Sequence, residues 1–506
     1  MIKEQLIKEC DNKKVCIYGA GMVGELVLEH LLRKGISSNR IVFAVTSAEP
    51  NQSYMGYPVM DIHDVAKKRN VIFILAVMKK NQGPMIDVLL NIGVSDFIVI
   101  DDKLFSFLEQ DYVGDFLSTH AIEKKDRQIL FIASDNNSSS GAFLCLVDIN
   151  IELKKRGISS LVILPQYGNG ELLLKDNDIE YTYVLSKDWL VANGEENNLL
   201  GNDVAVNTLC SFIKDFNIQL VHINTTYSYV GAVAAKRMNI PYIWHIREFI
   251  REQGFWFVDE DASYKLINEA NRIIPVSKYV SDCYEGFDKD KINIVYDGVD
   301  VNRYYYEHNN LFKDKKIHIL MPGNIIPLKG QKQLVEAANV LAKRGLDFDI
   351  NFVGNGDSNY IAELNVYIEQ HELAGFISFH DRSNRLEEWY RKSDIVVVCS
   401  RAEAFGRVTV EAQLSGCIVV GAECGATVEL IKNKETGLLY TLYDIDNLTE
   451  QLETIICNKD KSISIARMGQ INALNMFNKE KNAVKVIEIY REILGKGVNF
   501  ECDRKN

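Results

Sequence analysis

Two glutamates, Glu403 and Glu411, stand with seven residues between them in the stretch Ser400-Arg401-Ala402-Glu403-Ala404-Phe405-Gly406-Arg407-Val408-Thr409-Val410-Glu411-Ala412. The stretch follows Asp394 to Cys399, an apolar run that reads as a buried strand. A helix then reaches about Leu414, and Gly416 supplies its C-terminal stop. Gly406 lets the backbone approach a ligand closely. The N–H groups of Arg407, Val408 and Thr409 would head the helix, where a phosphate is favoured. Glu403, in the loop, can accept hydrogen bonds from hydroxyls. Glu411, about one turn into the helix, is placed to accept from a vicinal diol, one hydroxyl per carboxylate oxygen. A bare pair at this spacing occurs by chance and can simply be a solvated helix start. Here a strand precedes it, and Ser415-Gly416-Cys417-Ile418-Val419-Val420 follows.

Other reactive residues also follow apolar runs. Pro322-Gly323-Asn324-Ile325-Ile326-Pro327-Leu328-Lys329-Gly330 offers an amide, a lysine and glycines. Lys329 reads either as a cation for phosphate or as a surface lysine with a packed stem. Phe352-Val353-Gly354-Asn355-Gly356 is a strand and glycine turn, and Phe379-His380-Asp381-Arg382 brings another cation. Ser134 to Ala142 is serine-rich, with Gly141 just before a helix. In Pro241 to Glu248, His245 follows the strand-like Tyr242-Ile243-Trp244. Such a histidine is either a packed core residue or a functional one. Arg247 and Glu248 beside it are candidates for phosphate or acceptor contact. Glu429 reads equally as a ligand contact or a helix cap.

The elements that must position these residues repeat one pattern. Strand-like runs alternate with helical stretches from about residue 12 to 115, begin again at Gln128 to Ala133, and begin a third time at Ile317 to Met321. The alternation predicts parallel sheets. Three restarts predict an α/β protein of three doubly wound units: 1–120, 127–312 and 313–475. A last helix, Lys479 to Leu494, lies within 476–497. Ligands in such folds bind outside the carboxyl ends of the strands, where the loops above fall.

The Glu403-Ala404-Phe405-Gly406 and Glu411-Ala412 pattern, with its flanking strands, resembles the GT-B-fold retaining glycosyltransferases of family 4. The ordered neighbours agree over about 370 of the 506 residues. The resemblance implies two facing Rossmann-like domains, 127–312 on the acceptor side and 313–475 for the nucleotide-sugar donor, with 476–497 packing back on the acceptor side. It implies an enzyme, a hexosyltransferase-like glycosyltransferase that takes a sugar from a UDP- or GDP-sugar. The donor would be held by Gly141, Gly323, Asn324, Lys329, Gly354, Arg382, Glu403, Phe405, Gly406, Val408, Thr409 and Glu411. His245, Glu403 and Lys329 would serve catalysis, with His245 facing the transferred sugar. Asn324 stands where the family often has arginine, so the diphosphate would meet an amide without a charge there. The implied acceptor is a glycan, a lipid-linked sugar or a polyol phosphate, in bacterial surface polysaccharide or glycoconjugate synthesis. Two other readings are a non-catalytic nucleotide-sugar-binding partner and a bifunctional enzyme whose first unit modifies the sugar.

That first unit carries Gly19-Ala20-Gly21-Met22-Val23-Gly24 between a strand and a helix, which fits G-x-G-x-x-G. Val45-Thr46-Ser47 stands where a dinucleotide-binding unit has its acidic residue. A nucleotide or NAD site at Gly19, Gly21 and Gly24, and a docking unit with an empty pocket, are both consistent with the residues. The unit resembles small Rossmann modules found beside polysaccharide-synthesis enzymes.

The formal net charge of −12 argues against broad nucleic-acid binding. No run approaches the ~20 apolar residues of a membrane helix, and the first residues lack a signal peptide's apolar run. The ten cysteines include no C-x-x-C pair, so reduced thiols in the cytoplasm are expected. Peripheral contact with the inner face of the membrane stays open. No metal site and no essential cofactor are expected.

Overall fold

A computed structural model describes residues 2–49, 51–192, 202–308 and 311–495. Three six-stranded sheets follow one another along the chain. The first contains β1 (Lys14–Tyr18), β2 (Ile41–Val45), β3 (Ser53–Tyr54), β4 (Tyr57–Asp61), β5 (Val71–Leu75) and β6 (Phe97–Val99). Their order is β3-β4-β2-β1-β5-β6, parallel except for the β3–β4 hairpin. The second stretch contributes β7 (Ile129–Ile132), β8 (Ser160–Leu164), β9 (Tyr181–Tyr183), β10 (Leu190–Ala192), β11 (Leu220–Ile223), β12 (Tyr242–Ile246), β13 (Phe255–Phe257) and β14 (Arg272–Pro275). Its sheet runs β14-β12-β11-β7-β8-β9, while β10 and β13 form a separate antiparallel ribbon. The third holds β15 (Ile317–Pro322), β16 (Phe348–Val353), β17 (Ile377–His380), β18 (Ile395–Val398), β19 (Ile418–Ala422) and β20 (Leu438–Tyr440), in the order β17-β16-β15-β18-β19-β20.

The centres of the second and third sheets are apolar on both faces. Every residue of β7, β11, β12, β18 and β19 is buried. That is the signature of a parallel sheet covered on each side by helices. In the second sheet the strand order reverses between β7 and β11, and in the third between β15 and β18. Those crevices are where an open α/β sheet leaves room for a ligand.

The helix Lys479–Leu494 returns to the second unit. Its Val486, Ile487 and Tyr490 share a core with Phe131 of β7 and Leu146 of the helix Gly141–Lys155. Each such side chain contributes about 1.5–3 kcal/mol by leaving water. The buried Tyr490 hydroxyl lies 2.6 Å from His222 Nδ1. The first unit is joined in the same way. Val113 and Phe116, late in its helix Asp102–Thr119, enter the core of the second unit, while Tyr167 enters that of the first. Among the described residues no helix is long and apolar enough to cross a membrane, and the nine described cysteines are free thiols. Cys502 and the end of the 476–497 segment lie outside the described residues.

Candidate functional site

The loops that follow β7, β12, β15, β16 and β18 converge on one cleft of about 1160 Å³ between the second and third sheets. The third sheet supplies most of the groups singled out in the sequence. Gly323, Asn324, Lys329, Gly354, Arg382, Glu403, Phe405, Gly406, Val408 and Glu411 all border it. Gly141 faces them from the second sheet, and an added Cβ there would sit 3.5 Å from Arg407 Cδ.

Close backbone packing shapes the donor-side loops. Gly354 lies so near Gly323 that a Cβ would stand 2.1 Å from the Gly323 carbonyl oxygen. Gly330, at φ 76°, ends the short turn Pro327–Lys329 and presses on Cys399, which fixes the loop that carries Lys329. Gly406, at φ 95°, takes the left-handed conformation that starts the helix Arg407–Leu414.

Lys329 Nζ lies 2.5 Å from Glu403 Oε1, so cation and carboxylate form a pair in the cleft wall. Glu411 is almost wholly buried. Its Oε2 accepts from the Tyr390 hydroxyl at 3.1 Å, and its Oε1 lies 3.5 Å from Arg407 Nε. Burial pushes the Glu411 carboxyl up, against the pull of Arg407. Arg407 does more than offer a backbone N–H. Its guanidinium crosses to the second unit, donating to the Gly298 carbonyl at 3.1 Å and reaching Cys145 Sγ at 3.3 Å.

Two expectations are corrected, for His245 and Thr409. His245 does not reach the cleft surface. It is fully buried on β12, with Nδ1 3.3 Å from His222 Nε2 and 3.3 Å from Arg247 Nη2. Burial and the Arg247 charge hold both imidazoles well below their usual range. Because β12 is covered on both faces, the cleft is met only after the strand ends, by Arg247 and Glu248. Thr409 is also buried, and its N–H is taken by the Gly406 carbonyl at 3.0 Å, leaving the Arg407 and Val408 N–H groups at the head of the helix. Phe405 borders the cleft, but its ring packs against Phe477 and Tyr296 and ties the units together.

Arg247 is buried and ion-paired with Asp297, and Nε donates to Asn224 Oδ1 at 3.2 Å. Glu248 Oε2 accepts from the Thr226 N–H at 3.1 Å and its hydroxyl at 3.0 Å. Burial nonetheless pushes the Glu248 carboxyl up to about 7. Glu429 is a cap, for a helix of the opposite unit. Its two oxygens accept from the N–H groups of Lys278 and Tyr279 at 2.9 and 2.7 Å, and the Tyr296 hydroxyl donates to it at 2.9 Å. Ser277 Oγ also crosses, donating to the Ala404 carbonyl at 2.6 Å. Nothing in the local sequence signals the partners of Glu429 and Ser277, because they lie more than a hundred residues away.

In the first unit, Gly19 (φ 128°) and Gly24 are required by close backbone contact, whereas Gly21 faces open space. Thr46 occupies the place of the acidic residue, and its hydroxyl is 2.7 Å from that of Tyr18. The turn therefore has the glycine geometry of a nucleotide loop without the carboxylate that would hold a ribose.

Two family models match consecutive stretches of the chain: "Glycosyltransferase Family 4" over residues 140–303 and "Glycosyl transferases group 1" over 306–472. Among curated relatives, a D-inositol 3-phosphate glycosyltransferase of Rhodococcus erythropolis is 29% identical over 52% of this chain and 65% of its own length. One of Paenarthrobacter aurescens is 26% identical over 46% of this chain and 60% of its own length. The chain thus spans less than two thirds of these relatives. Among solved structures, Anabaena HepE in complex with UDP and glucose is 24% identical with a TM-score of 0.62, over 72% of this chain and 99% of that one. A glycosyltransferase from Rickettsia africae is 22% identical with a TM-score of 0.63, over 74% of this chain and 100% of its own. At these identities the likeness establishes the fold, GT-B.

Proposed function

We propose, from the premise that residues 140–472 carry the family 4 and group 1 glycosyltransferase domains in GT-B arrangement, that the chain transfers a sugar from a nucleoside-diphosphate donor with retention of configuration. The observation that carries this reading is the convergence of Lys329, Glu403, Glu411 and the helix head at Arg407 and Val408 on one wall of the inter-sheet cleft. Glu411 suits the ribose diol, and Glu403 suits the sugar hydroxyls. Lys329 and the helix head suit the diphosphate. UDP as the nucleotide is supported by the UDP and glucose in the Anabaena complex. Surface polysaccharide or glycoconjugate synthesis remains our reading of the pathway.

In the proposed step the bond from the anomeric carbon to the diphosphate oxygen breaks as the acceptor oxygen attacks the same face. The acceptor proton passes to the departing diphosphate, whose growing charge is met by Lys329 and the helix N–H groups. Arg247, neutralised by Asp297, and Glu248 line the opposite side, where an acceptor hydroxyl would be oriented. One observation favours a second reading, nucleotide-sugar binding without transfer: Asn324 is an exposed amide where the family often has arginine.

The test is incubation of the full chain with UDP-glucose, UDP-N-acetylglucosamine and GDP-mannose, followed by proton NMR of the anomeric signals. A product with the donor's own configuration supports the reading. An inverted product, or a trapped glycosyl-enzyme adduct, contradicts the front-face step. UDP binding without any turnover would favour the second reading.

A further inference from the structure

A second cavity, of about 540 Å³, opens beside the cleft and shares Ser134, Gln166, Asp188 and Tyr227 with it. Its outer wall is Ser106 and Gln110 of the helix Asp102–Thr119, which belongs to the first unit. That unit also sets the wall between the two spaces. Glu109 Oε1 accepts from the Tyr167 N–H at 2.9 Å, and the buried Tyr167 ring sits in the first unit's core with Leu104 and Leu108. Gln166, next to it, has its carbonyl bonded by Asn136 Nδ2 at 3.1 Å. A small module joined to the glycosyltransferase domains thus builds part of a groove continuous with the reaction cleft.

The lining is chemically distinctive. Among the described residues, Pro165 and Leu185 are its only aliphatic members, and the rest are hydroxyls, carboxamides, one lysine, two carboxylates and Tyr227. Such a wall does not suit a lipid chain, which needs contiguous apolar surface. Glu109 and Asp188 against Lys187 disfavour a polyanion. Ser228, 5% exposed, lines the groove, and among the described residues its buried Oγ has no hydrogen-bond partner. A buried hydroxyl left in that condition is costly unless a ligand or water completes it.

We propose that this groove is an acceptor-extension site, in which a neutral oligosaccharide runs out of the cleft past Tyr227 and Ser228 and along Ser106 and Gln110 of the first unit. The proposal rests on the glycosyltransferase reading and assigns the first unit to acceptor selection. Hydroxyl-bearing chains match the wall's donors and acceptors, and the Tyr227 ring offers a face for a sugar ring.

The experiment compares wild type, Ser106→Trp and Gln110→Trp on immobilised neutral and anionic oligosaccharides of roughly three to six units, with saturating UDP present. Gln110 is exposed, so the second variant fills the groove without disturbing a core. The expected result is that wild type retains neutral chains and both variants bind them at least about tenfold more weakly, while the thermal shift with UDP persists. Equal binding by the variants, a preference for anionic chains, or no oligosaccharide binding despite a UDP shift would overturn the proposal. Loss of the UDP shift in wild type would instead strike the glycosyltransferase reading itself.

Discussion

Lys329 and Glu403 neutralise each other across 2.5 Å, and a diphosphate arriving at Lys329 would draw it toward a second anion. Lys329→Ala should therefore lower kcat/KM by about 10²–10³, as loss of one charge-stabilising donor commonly does. Steady-state kinetics with the donor varied would check it, and an unchanged value would remove Lys329 from the reaction. Glu248 gives a pH prediction. Its carboxyl is raised in the folded chain from 4.5 to about 7, so the stability it contributes is present at acid pH and lost as pH rises through about 7. The full difference is on the order of 3 kcal/mol. The wild-type melting temperature, measured against Glu248→Gln, should fall between about pH 4.5 and 7. Parallel curves would mean that Glu248 titrates normally. His245 shows where reasoning from residue type fails. Both a core and a functional role fitted the local sequence, and the burial that decides between them comes from strands far away in the chain.

Much of the element pattern was legible. The strands at the sheet centres are uninterrupted apolar runs, and the helix Lys479–Leu494 keeps apolar residues at helical spacing. The two-residue β3, the Tyr-Thr-Tyr strand β9 and the β10–β13 ribbon were not, because edge strands need neither length nor continuous hydrophobicity. The loops carrying Lys329 and Glu403, and the helix start that carries Glu411, were legible because glycines and charges punctuate apolar runs there. The inter-unit contacts of Arg407 and Glu429 were not, since a cap acting across a cleft leaves no local pattern. Glu429→Ala should uncap the helix Lys278–Asp282 and remove the Tyr296 bond, costing about 1 kcal/mol of inter-unit closure. Small-angle scattering should then show a larger radius of gyration without nucleotide. An unchanged radius would mean that Ser277, Arg407 and Phe405 hold the units closed without it.

Three parallel-sheet units share side chains at their seams: Val113 and Phe116 lie in the second core, Tyr167 in the first, and Phe405 and Phe477 between the last two. The first unit is thus locked to the rest by a few buried rings. Tyr167→Ala should cost about 3–5 kcal/mol at that seam. Limited proteolysis should then cut near residues 120–126 while nucleotide binding survives, whereas loss of both together would show a single cooperative body. The proposed donor site depends most directly on Glu411 as the ribose ligand in the inter-sheet cleft. Thermal unfolding of wild type and Glu411→Ala, with and without UDP at ~100 times its dissociation constant, measures it. About 2.7 kcal/mol of added stability is expected for wild type. The shift should be roughly 5–11 °C in a ~200-residue unit and should vanish in the variant. An equal shift in both proteins would take Glu411 out of the donor site, and no shift in wild type with any nucleoside diphosphate would contradict the donor site itself.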